Sequence, residues 1–164
     1  MRAKKVYFGE VTDEKGTLLQ YDVGSNLPFR PEYIACITDT VQGTTYYNKA
    51  NLLCDCIITA IQGSAVLQLD GVKEEKTFVL NRRCEGIFVP RMFWLRIEET
   101  SPDAVLLLFG NRDYSESRWI EDYGTFVKMK LERLGRWSKR NQVEDEEWLR
   151  IMEKKGMGGG EILQ

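Results

Sequence analysis

At 164 residues the chain can bury one sizeable core, and two full domains would be a squeeze. Apolar residues make up 43% and charged residues 29%, with a formal net charge of −2, which argues against a nucleic-acid surface. Histidine is missing altogether, so the commonest general base near neutral pH and the commonest transition-metal ligand are excluded, leaving Lys, Tyr, Asp, Glu or Cys for any catalysis.

The basic start Met1-Arg2-Ala3-Lys4-Lys5 has no apolar stretch behind it and does not read as a secretion signal. Short β segments then follow one another up to about Phe126. Val6-Tyr7-Phe8 leads to Asp13-Glu14-Lys15-Gly16, a hairpin turn, and to Thr17–Tyr21. Asn26-Leu27-Pro28 breaks the chain, Tyr33–Ile37 is apolar, and Thr44–Tyr47 is rich in Thr and Tyr. Leu52–Ile61 reads as one long strand ending at Gln62-Gly63-Ser64, and Ala65–Leu69 runs into Asp70-Gly71, a second hairpin signal. Thr77–Leu80, Gly86–Val89, Phe93–Glu98 and Ala104–Gly110 complete the series. The longest apolar runs, Cys56–Ile61 and Val105–Gly110, are strand-sized and far short of a membrane span. Turns at this spacing predict an all-β, antiparallel sandwich or barrel over residues 1–127.

Beyond it, Lys128, Lys130, Arg133, Arg136, Lys139 and Arg140 form a basic linker with only Glu132 against it. A short C-terminal amphipathic helix is expected next. Asn141 is its N-cap, Glu144 to Glu147 suit the positive helix start, and Trp148, Ile151, Met152 and Lys155 share one face. Gly156 ends it before a flexible glycine-rich tail, completing a 128–164 segment. A basic run beside an apolar helix face suits a membrane surface or a partner; the simpler reading packs that face on the barrel or on a second subunit.

The cysteines Cys36, Cys54, Cys56 and Cys84 contain no C-x-x-C pair and read as reduced structural residues, with a cytoplasmic setting to match. Strand alternation places Cys54 and Cys56 on one face. It also sends Lys49, Asn51 and Asp55 to one side, the expected interior, with Lys49 and Asp55 about 20 Å apart along the strand. Lys49 suits an anionic ligand, or a base if desolvated; a lysine at the barrel mouth reaching to solvent is the simpler alternative. The aromatics Tyr46, Tyr47, Phe88, Phe93, Trp94, Trp119 and Tyr123, interleaved with Arg91 and Arg96, are candidates for a base-stacking and phosphate-binding pocket.

Gly43, five residues, Lys49-Ala50-Asn51, three residues, Asp55 and then Gly63 resembles in spacing the first motif of metal-binding cupins, with both histidines replaced. Gly86–Pro90 onward resembles the second motif, again without its histidine, so no metal site or other cofactor is expected. A closer likeness lies in Asp13-Glu14-Lys15-Gly16-Thr17-Leu18, Leu27-Pro28-Phe29, Gln62-Gly63-Ser64, Leu69-Asp70-Gly71 and Phe88-Val89-Pro90. Asp113-Tyr114-Ser115-Glu116-Ser117 and Trp119-Ile120-Glu121-Asp122-Tyr123 extend it. With these stretches the chain resembles the dTDP-sugar 3,4-ketoisomerases, the WxcM-like branch of the RmlC-like cupins, over residues 6 to 127. The resemblance implies a jelly-roll homodimer that binds a dTDP-linked 4-keto-6-deoxy sugar and moves its carbonyl from C4 to C3 without metal. It places the family's catalytic His-Ala-His on Lys49-Ala50-Asn51, leaving Lys49 as the substitute base and Asn51 unable to exchange a proton. Tyr47 is then a candidate acid, and Asp55, Arg91, Trp94 and Arg96 are candidate substrate-binding residues. Altered or lost isomerase chemistry follows from that replacement, and a non-catalytic nucleotide-sugar-binding or interaction protein is the alternative.

Overall fold

Apolar residues alternate along most strands, so each strand has one side that must be covered. Two five-stranded sheets meet this need by facing each other. The computed structural model describes residues 1–141 together with Arg150 and Lys154. Its strands are β1 (Lys4–Tyr7), β2 (Gly9–Asp13), β3 (Gly16–Gln20), β4 (Tyr33–Ile37), β5 (Asn48–Asn51), β6 (Cys56–Gln62), β7 (Ala65–Asp70), β8 (Glu75–Leu80), β9 (Glu85–Val89), β10 (Trp94–Glu98), β11 (Val105–Gly110) and β12 (Trp119–Ile120), followed by helix α1 (Tyr123–Asn141). The first sheet has the order β1-β9-β6-β11-β4 and the second β12-β5-β10-β7-β8, while β2 and β3 form a separate hairpin. Every pairing between these strands is antiparallel.

Between the sheets lies the main core, with Ile58, Leu67, Leu80, Ile87, Ile97 and Leu106 inaccessible to solvent. A second cluster coats the outer face of the second sheet, where Phe126, Val127 and Leu131 of α1 cover Ala50, Trp94 and Ile120. A third, on the outer face of the first sheet, packs Phe8 and Leu27 over Ile57, Phe88 and Phe109.

Several expectations need correction. The basic stretch from Lys128 is helix, not linker, because Phe126, Val127, Leu131 and Leu134 recur at helical spacing on the buried side, with Lys128, Arg133 and Arg136 exposed and Lys130 half-buried. Asp122 caps this helix, its carboxylate accepting from the Thr125 N–H at 2.7 Å, and Asn141, expected to be the N-cap of a separate helix, lies within α1. The helix expected from Asn141 onward falls, Arg150 and Lys154 apart, outside the described residues. Leu52–Ile61 is not one strand either. Asn51 Oδ1 accepts the Leu53 and Cys54 N–H groups at 2.9 and 2.8 Å, which turns the chain out of β5 and across to β6 in the opposite sheet. The Asp13–Gly16 hairpin forms as expected, with Asp13 Oδ1 accepting from the Lys15 and Gly16 N–H groups. At Asp70-Gly71 the connection is a four-residue loop, and the left-handed residue is Val72 (φ 71°) rather than the glycine. Gly71 is needed for another reason: a Cβ there would lie 2.7 Å from the Phe93 ring.

Candidate active site

The central position of β5, between β12 and β10, makes its alternation decisive. Asn48 and Ala50 point outward, where Ala50 is completely buried under α1, and Lys49 and Asn51 point between the sheets. There they line a cavity of about 20 Å³, room for one water molecule. The opposite sheet contributes Tyr33, Cys56, Val89 and Leu108, and the second sheet adds Leu95 and Trp119, with Phe93 just ahead of β10. Tyr33 fits because it faces Gly110 across the β4–β11 ladder; a Cβ at Gly110 would fall 2.0 Å from its ring.

At the mouth, the Lys49 ammonium stands 4.4 Å from the Trp119 ring centre and 5.2 Å from that of Tyr47. Glu121 Oε1 approaches it at 3.7 Å from an exposed position. All three neighbours favour a cation at this point. Asn51 uses its carbonyl oxygen on the turn, while its Nδ2 is buried without a hydrogen-bond partner. Burial pushes the Tyr33 and Tyr47 phenols well above the ordinary tyrosine range, and it also raises the Cys54 and Cys56 thiols. These groups therefore keep their protons at neutral pH. Lysine ammonium, amide N–H, phenol and thiol are all donors, and no carboxylate lines the cavity.

Of the expected site residues, Lys49, Asn51 and Tyr47 come together here. Asp55 does not join them, since it lies past the Asn51 turn. Its buried carboxylate accepts from the Arg91 N–H at 2.7 Å and from Asn111 Nδ2 at 3.1 Å, tying together the ends of three strands. Arg91 keeps its guanidinium near that carboxylate, with Nε 4.0 Å from Oδ1. Trp94 and Arg96 alternate out of β10 away from the cavity: Trp94 packs under α1 and donates to Asn48, and Arg96 donates to Gln68 on the solvent face. The expected aromatic pocket shrinks to Tyr47, Phe93 and Trp119. Phe88 faces the third cluster, Tyr123 belongs to α1, and Tyr46 is exposed. Tyr33 was not foreseen, and its only sequence signal is the glycine opposite it, visible once the ladder is known. Among the described residues no group of three or more His, Cys, Asp or Glu is placed to hold a metal.

Two antiparallel five-stranded sheets closing over an interior row of polar side chains define a cupin-type jelly roll. The chain belongs to the WxcM-like, C-terminal family, whose model matches residues 1–131. It is 24% identical over 139 residues to the TDP-4-oxo-6-deoxy-alpha-D-glucose-3,4-oxoisomerase of Aneurinibacillus thermoaerophilus, covering 82% of this chain and 100% of that protein. A TDP-fucose-3,4-ketoisomerase of known structure from Campylobacter jejuni superposes with a TM-score of 0.73 at 27% identity, over 79% of this chain and 96% of the other. A 3,4-ketoisomerase from Thermoanaerobacterium thermosaccharolyticum, crystallised as a histidine-to-asparagine variant with TDP-4-keto-6-deoxyglucose, shares the fold with a TM-score of 0.76 at 21% identity, over 80% and 95% of the two chains.

Proposed function

We propose that the barrel binds a TDP-linked sugar at the Lys49–Asn51 cavity, and that its isomerase chemistry is altered or lost. The observation that carries this reading is the set of donors in an otherwise apolar lining: Lys49, the unpartnered Asn51 Nδ2 and the protonated phenols suit a ligand rich in acceptor oxygens and phosphates. Moving a carbonyl between neighbouring carbons requires a group that removes the proton on the adjacent carbon. The lining has no imidazole or carboxylate, and its phenols and thiols keep their protons at neutral pH. In this reading Lys49 binds the ligand's anionic groups and Tyr47 donates a hydrogen bond. The family relationship and the relative crystallised with a TDP-sugar support the ligand class. The same reading takes Lys49-Ala50-Asn51 as the replacement of the family's His-Ala-His and a cytoplasmic homodimer as the working state.

A sugar needs far more than 20 Å³, so binding requires Trp119 and Lys49 to swing away from the mouth. Calorimetric titration with TDP and with TDP-4-keto-6-deoxyglucose tests the reading, run beside proton NMR of the sugar in deuterium oxide. Binding with no deuterium entering C3 is the expected result. Failure of both ligands to bind at millimolar concentration overturns the proposal, and rapid exchange at C3 overturns its chemical half. The Lys49→His, Asn51→His double variant is expected to gain exchange at C3.

A further inference from the structure

Helix α1 lies outside the barrel, yet one of its side chains reaches the wall of the cavity. Lys130 is half-buried and donates to the Met92 carbonyl at 2.6 Å, with its ammonium 4.5 Å from the centre of the Phe93 ring. That ring lines the cavity. Met92 in turn donates its N–H to the Asn51 carbonyl at 2.7 Å, and the adjacent Arg91 N–H is held by Asp55. Met92 itself is buried and sits at φ 61°, a left-handed conformation that costs a branchless residue about 1–3 kcal/mol unless its surroundings impose it. The turn joining β9 to β10 is therefore clamped from three directions, and the clamp on its outer side is a single ammonium.

We propose that Lys130 is a positioning residue for the cavity: from α1 it holds the Met92 turn and the Phe93 ring against Asn51, so that the charge state of one helix side chain sets the shape of the site. The groups facing Lys130 are Arg133 on its own helix and, from the β7–β8 side, Asp70 and Glu74. Burial and the Arg133 guanidinium lower its pKa to about 8, against the opposing pull of Glu74 and Asp70. A neutral amine keeps at most an ordinary hydrogen bond to Met92 and loses its attraction to the ring. The clamp is thus full below pH 8 and weakens above it.

The test needs no ligand, so its outcome is independent of whether TDP-sugars bind. The Asn51 side-chain amide and the Met92 backbone amide of the full chain are followed by nitrogen-15 NMR from pH 6.5 to 9.5. Both resonances are expected to move with a common midpoint near 8 in the unmodified protein, and to stay flat in Lys130→Met and Lys130→Arg. In Lys130→Met, hydrogen exchange at Met92 is expected to rise at least about tenfold, as loss of a charged hydrogen bond requires. An Asn51 amide that does not move near pH 8 overturns the proposal even if Lys130→Met fails to fold. So does the same movement persisting in Lys130→Arg, where the cation no longer titrates.

Discussion

The two faces of the second sheet are made by the same strands and differ in almost everything else. On β5 and β10, Ala50 and Trp94 look outward onto a dry helix, whereas Lys49, Asn51 and Leu95 look inward onto a small donor-lined space. Where α1 covers it the outer face is tightly packed, with Phe126 and Ala50 wholly buried, and beyond the helix Arg96 and Gln68 meet solvent. The inner face leaves a polar atom unpartnered. Buried polar groups are normally satisfied, and Asn51 Nδ2, like Tyr21 Oη and Ser117 Oγ, is an exception; under the proposed function a ligand atom meets it, while the apolar face holds the wall still.

This contrast can be broken from either side. The largest effect is expected outside: Phe126→Ala removes the centre of the α1 contact and should destabilise the fold by about 3–5 kcal/mol in denaturant unfolding. A cost under about 1 kcal/mol would show that α1 does not brace the sheet. Next comes Asn51, which serves both the turn and the cavity. Asn51→Ala should cost about 1–2 kcal/mol through the two freed N–H groups, and Asn51→Asp should recover most of that stability but not ligand affinity. Lys49→Met should leave the melting temperature nearly unchanged while weakening TDP by about threefold to tenfold, with a flatter salt dependence in calorimetry. Equal loss of stability in Lys49→Met would mean that the lysine serves the fold and not a ligand.

The smallest effect lies away from both faces. A hydrogen bond from Lys5, helped by Arg82, lowers the pKa of Glu85 below the usual carboxylate range. Because the folded-state pKa is the lower one, this interaction stabilises the protein fully above the unfolded carboxylate range and is lost as pH falls below that range and through the lowered folded-state value. Thermal melts between pH 3 and 7 should therefore fall less steeply with acid for Glu85→Gln than for the unmodified chain.

Strand alternation was enough to place Lys49 and Asn51 inside, but carried on past Asn51 it put Cys54 and Cys56 on the opposite face, whereas both line the cavity. It failed at Asp55 because period-2 reasoning assumes an unbroken strand, and Asn51 breaks it with its own side chain. The same assumption put Trp94 and Arg96 in the site, although Leu95 between them is the inward residue of β10. Helix α1 was hidden by its charges: counted in a row they look like a linker, and only the 3.6-residue spacing of Phe126, Val127, Leu131 and Leu134 separates the wet side from the dry one. Tyr33 depends on a partner far away in sequence, Gly110, and such pairings are set by topology rather than by any local pattern.

Four consecutive residues around β12 divide their work with no spare position. Trp119 closes the cavity, Ile120 lies under α1, Glu121 reaches Lys49, and Asp122 starts the helix. Each role follows from the parity of its place in the chain. Adding or deleting one residue here would exchange indoors for outdoors along the whole segment and shift the helix start. Evolution and protein engineers can therefore change the letters of this stretch, Glu121 most freely, but not its count.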